Sequence, residues 1–103
     1  MLLSHAVLLA ETRSYLAALS DNAATFDGAM EYERILLQVD WLHRGLNGGA
    51  NPPITVVPAT NASTLCAVAK AAIRSLANHG LDQLEIEICL AMLDAARELD
   101  TRS

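Results

Sequence analysis

The residues of this 103-residue chain that could do chemistry are three histidines, two cysteines, a late run of carboxylates and one glycine pair. A metal centre needs His, Cys, Asp or Glu at turn or helical spacing. His5, His43 and His79 fall in three separate segments, Cys66 and Cys89 form no C-x-x-C, and neither H-E-x-x-H nor paired Glu-x-x-His occurs. No metal or other cofactor is expected. A nucleophile needs an adjacent base and an oxyanion site, and neither cysteine has a distinctive flanking sequence. Gly48-Gly49 opens no G-x-G-x-x-G and precedes no G-K-[ST], so it is not a phosphate loop. Glu85 and Glu87, two apart on a helix, point to different faces and make poor acid/base partners. The expectation is a protein that is not an enzyme.

Charge narrows the partners. The formal net charge is −5, and between positions 81 and 100 six carboxylates (Asp82, Glu85, Glu87, Asp94, Glu98 and Asp100) face Arg97 alone. Lys70 is the single lysine and the six arginines are scattered, whereas phosphate backbones need clustered Lys and Arg. Direct nucleic-acid binding is not expected. The two cysteines sit among apolar residues and read as buried, unpaired thiols.

The elements that position these residues are helical. Apolar residues make up 52% of the chain, aromatics only 4%, and Ala and Leu together number 35, a composition that favours helices over packed strands. No apolar run approaches the roughly 20 residues of a membrane span, and the start carries no Lys or Arg ahead of an apolar stretch. A cytoplasmic protein is therefore expected, with no membrane partner. Period-3.6 patterning predicts one helical domain over residues 1–103: helices at about 3–19, 27–46, 63–79 and 82–99, with a Pro- and Gly-containing loop at 47–62. The fold class is all-α, a four-helix bundle of two antiparallel hairpins joined by that loop. Ser20-Asp21-Asn22 should stop the first helix by competing for backbone hydrogen bonds. Asp82 with Glu85 reads as a capping box, and Leu81 with Ile86 as a hydrophobic staple, at the start of the last helix.

The second helix carries two apolar faces. Ile35, Val39, Leu42 and Leu46, with Tyr32, Leu36 and His43 adjoining, make a core stripe, while Met30, Leu37 and Trp41 fall on a different face, between the charged Glu33, Arg34 and Arg44. One helix with two apolar faces needs two neighbours. Trp and Met are enriched at interfaces, so Met30, Arg34, Leu37 and Trp41 are the candidate protein interface, for a protein partner, a second copy, or both. Glu87, Asp94 and Glu98 align as an acidic ridge on the last helix, a second candidate docking face.

The expected function is a small acidic interaction protein of the inhibitor, immunity, antitoxin or adaptor kind. A second expectation is a mobile-element inhibitor, of the anti-CRISPR or anti-restriction type, whose acidic face imitates nucleic acid. A third is a small-molecule pocket between helices, lined by His5, Tyr15, Tyr32 and His43.

Overall fold

The computed structural model describes residues 3–42, 57, 61–79 and 81–101, which form four α-helices and no strand. They are α1 (Leu3–Asp21), α2 (Phe26–Leu42), α3 (Ala62–Leu76, followed by a 3₁₀ turn over Ala77–His79) and α4 (Gln83–Thr101). The all-α bundle read from the sequence is the fold. The expected continuation of α2 to residue 46, most of the 47–62 loop, and the side chains of His5, His43 and His79 lie outside the described residues.

The helix ends differ from expectation for local reasons. Ser20-Asp21-Asn22 does end α1, at Asp21 rather than at about 19, and Asn22 donates to the Ala18 carbonyl from both its backbone N (3.0 Å) and its Nδ2 (2.7 Å). The third helix starts at Ala62, before the expected 63, because Asn61 caps it, its side chain accepting from the Thr64 N–H at 2.8 Å. It leaves α geometry at Leu76, three residues short of 79, where the Ala77 N–H turns to the Arg74 carbonyl. Asp82 caps α4 but accepts from the Leu84 N–H (2.8 Å), and Leu81 and Ile86 both pack on the core as a staple should. The last helix also continues past residue 99, which brings Asp100 into the fold.

Polar contacts between helices fix the topology. Arg13 meets Asp40, Ser20 meets Ala29, Thr25 meets Asp100, and Arg97 meets Ser63. Ser20–Ala29, Thr25–Asp100 and Arg97–Ser63 each join the start of one helix to the end of another, and Arg13, earlier on α1 than Ser20, meets Asp40, later on α2 than Ala29, so α1/α2, α2/α4 and α3/α4 are antiparallel. With α1 also packed on α3, the helices form a ring in the order α1, α2, α4, α3, and α2 and α3 run in the same direction on one diagonal. The chain leaving α2 must therefore return the length of the bundle, roughly 25 Å at 1.5 Å per residue, before α3 can start. At about 3.3–3.6 Å per extended residue that distance takes at least seven or eight fully extended residues, the upper end of the usual connections between bundle helices. Within it, Val57 is half-buried against the core.

The core draws on all four helices: Leu9, Leu16 and Leu19 from α1, Tyr32, Ile35 and Val39 from α2, Leu65, Ala69, Ile73 and Leu76 from α3, and Ile86, Cys89, Leu93 and Ala96 from α4. Each large member contributes about 1.5–3 kcal/mol by leaving water. Cys66 and Cys89 are free and buried, as expected. The buried hydroxyls of Thr12 and Ser14 are satisfied within α1, donating to the Leu8 (2.9 Å) and Ala10 (2.7 Å) carbonyls. No helix of the described residues is long and apolar enough to cross a membrane.

Candidate protein-docking face

The orientation of α2 is set at both ends by polar contacts. Thr25 is its N-cap: the hydroxyl accepts from the Gly28 N–H at 2.9 Å. In a capping box, a Glu or Gln at the third helical position would reach back to the cap residue's own N–H. Gly28 holds that position here, and the acceptor comes from across the bundle. Asp100, 4% exposed, accepts from the Thr25 N–H (2.9 Å) and the Thr25 hydroxyl (3.1 Å) through one carboxylate oxygen. A carboxylate at a helix N-terminus also meets the positive end of the helix dipole. Glycine is required by space: a Cβ at position 28 would stand 2.4 Å from Asp100 Oδ1 and 2.8 Å from its Cβ and Cγ. Near the other end, Arg13 Nη1 of α1 donates to both oxygens of Asp40, at 3.2 and 3.3 Å. Between these ends the Ser20 hydroxyl donates to the Ala29 carbonyl and to Glu33.

With α2 so held, Gly28, Tyr32, Ile35 and Val39 are buried. Successive residues of a helix turn by about 100°, which places Phe26, Met30, Leu37 and Trp41 on the side directly opposite that core stripe. All four are exposed, at 79%, 45%, 67% and 62%. Neither α1 nor any other described segment covers them. Glu33 and Arg34, also exposed, flank the middle of this stripe on its two sides. Arg34 lies 3.8 Å from Glu31 within the same helix, a weak exposed pair.

Comparisons of the chain with protein-family models, with curated proteins and with solved structures find no match. Function therefore has to be read from this face and its surroundings.

The sequence-predicted residues divide between surfaces. Met30, Arg34, Leu37 and Trp41 share the outer face of α2, joined by Phe26, which the sequence reading missed because it places the helix start one residue later. Its signal was available: Phe26 precedes Met30 by one helical turn. Leu84 and Ile88 are exposed on α4, at the end of the bundle where α2 carries Trp41. The acidic residues Glu87, Asp94 and Glu98 are all exposed on α4, but they do not form a uniform anionic face. Asp94 pairs with Lys70 of α3. Glu98 turns to an open groove of about 290 Å³ between α2 and α4, shared with Glu31, Ala95 and Leu99.

Inside the bundle, the Tyr32 hydroxyl is fully buried with no hydrogen-bond partner among the described residues. Burial first, and then the Asp100 charge, push its pKa up to about 12. Burial likewise raises Cys66, and raises Cys89 to about 11, so neither is a ready thiolate. Tyr32 belongs to the packed core and Tyr15 is half-buried against it. Among the described residues no three His, Cys, Asp or Glu side chains gather where they could hold a metal ion.

Proposed function

We propose that the protein is a small non-enzymatic interaction protein, working in the cytoplasm by binding another protein chain through the outer face of α2. The observation that carries this reading is the stripe of Phe26, Met30, Leu37 and Trp41, exposed opposite a complete core stripe on the same helix. A bundle whose cores are filled gains nothing from four large apolar side chains in water, whereas aromatic and Met residues anchor protein interfaces. The acidic ridge supports the rival reading, phosphate mimicry, less well, because Asp94 is already neutralised by Lys70. A reducing compartment suits two thiols that are free and buried. By this reading the chain belongs with small inhibitors, antitoxins and adaptors, whose work is association.

The test is sedimentation of the labelled chain in an extract of cells that express it. The native chain should sediment in a complex heavier than its own 11.0 kDa. The Trp41→Glu variant should sediment alone while melting at the native temperature, and the triple variant Glu87→Lys, Asp94→Lys, Glu98→Lys should stay in the complex. A Trp41→Glu chain that loses its helical signal would make the stripe part of the core and end this reading.

A further inference from the structure

We infer that the chain seated on the outer face of α2 is a second copy of this protein, with the two α2 helices side by side and parallel about a two-fold axis along the bundle. This inference rests on the docking face proposed above and names its occupant. The apolar pattern of the face is self-matching. From Phe26 the spacings are four to Met30, three to Glu33, one to Arg34, three to Leu37 and four to Trp41, with an aromatic ring at each end. Any two-fold arrangement of this stripe on itself thus sets apolar against apolar over about 22 Å of helix.

Charge decides the direction. Glu33 and Arg34 sit on opposite flanks of the stripe, each about 50° from its centre line at about 100° per residue. When two parallel helices face each other across a two-fold axis, the left flank of one meets the right flank of the other. Glu33 then meets Arg34 of the partner subunit, and the same pair forms again by symmetry. In the antiparallel arrangement, left meets left: Glu33 faces Glu33 of the partner subunit, and Arg34 faces the partner's Arg34. Like charges set opposite each other disfavour that arrangement, so the parallel one is selected.

The area is also sufficient. Taking roughly 150–200 Å² for a large side chain, the exposed parts of the four apolar residues amount to on the order of 450 Å² per chain. Two such surfaces, with Asp27, Glu33, Arg34 and their neighbours at the rim, pass the roughly 1,000 Å² at which specific interfaces begin.

The experiment is light scattering on a sizing column across a concentration series, together with oxidative cross-linking of single-cysteine additions. Cys66 and Cys89 are buried, so an added surface thiol reports without competition. The expected mass is about 22 kDa, twice the 11.0 kDa of the chain. Met30→Cys alone and Leu37→Cys alone should each form a disulfide-linked dimer, because the parallel axis brings like residues together. Trp41→Glu should weaken dimerisation roughly 30-fold or more, as loss of an aromatic anchor does. Arg34→Glu should weaken it about three- to tenfold, and adding Glu33→Arg to Arg34→Glu should restore it. Cross-links formed only between Met30→Cys and Leu37→Cys chains, or a strengthening by Arg34→Glu, would overturn the parallel arrangement. A mass near 11 kDa at every concentration would overturn self-pairing altogether. The docking face itself fails by a different sign, the unfolding of Trp41→Glu, so the two failures cannot be confused.

Discussion

Replacing Gly28 with alanine tests whether the tie between Asp100 and the start of α2 governs the placement of that helix. Propensity alone says the change should help, by about 0.5–1 kcal/mol, since glycine is the costlier residue in a helix. The structure says the opposite. The new methyl would lie 2.4 Å from Asp100 Oδ1 and 2.8 Å from its Cβ and Cγ. The Cβ cannot swing away, because it is fixed to the backbone of α4. Overpacking of this kind costs about 1–3 kcal/mol. Displacing the carboxylate also loosens its bonds from the Thr25 N–H and hydroxyl, and hydrogen bonds to a charged group are each worth about 1.5–3 kcal/mol. Even with half of those bonds retained and each cost at the low end of its range, the balance is a loss of about 1.5–2 kcal/mol. Urea unfolding followed by far-ultraviolet circular dichroism would read it as a midpoint lowered by roughly 1–2 M. In an Asp100→Ala background the cost of Gly28→Ala should shrink, because two of the three close atoms are gone. An unchanged or higher midpoint for Gly28→Ala, or the same loss with and without the carboxylate, would mean that the Asp100 carboxylate does not set the start of α2.

Two further predictions concern the interior. Tyr32→Phe removes a hydroxyl that is buried without a hydrogen-bond partner among the described residues, so stability should hold or rise by up to about 1 kcal/mol; a loss beyond that in urea unfolding would mean that the hydroxyl is bonded. Stability should fall at high pH: Cys89 and Tyr32 ionise near 9.0 and 10.0 in the unfolded chain but near 11 and 12 in the folded one. The unfolded state thus releases protons first, and the stability these groups contribute, full below pH 9, is lost as pH rises towards 12. Denaturant midpoints measured from pH 8 to 11.5 should decline, and Tyr32→Phe should flatten the part above pH 10. A flat profile for the native chain would contradict both burials.

Much of this fold is legible in the sequence because its signals are local. The two faces of α2 show as separate stripes, Tyr32, Ile35 and Val39 against Met30, Leu37 and Trp41, since a helix keeps one period whatever covers it. The α4 cap and staple read directly from Leu81, Asp82 and Ile86. What escaped the reading depends on register between helices. Asp100 looks like one more carboxylate in an acidic segment, and only the antiparallel α2/α4 pairing brings it to Thr25, 75 positions away. The hint was Gly28, standing where a capping box would place Glu or Gln. Asp94 joins an acidic ridge in sequence but meets Lys70 once α3 and α4 are paired. The connection between α2 and α3 reads as a loop in the sequence, and most of it lies outside the described residues.

Trp41, the only tryptophan, reports directly on whether the outer face of α2 is open to a partner. Acrylamide quenching of its fluorescence should be measured over a dilution series of the native chain, with urea-unfolded protein as the reference. At the dilute end, Trp41 should be quenched almost as freely as in the unfolded chain, with protection and a blue-shifted emission appearing as concentration rises. Emission that stays blue and resists quenching down to the lowest concentration would mean that the ring belongs to the core and that the outer face of α2 is not open.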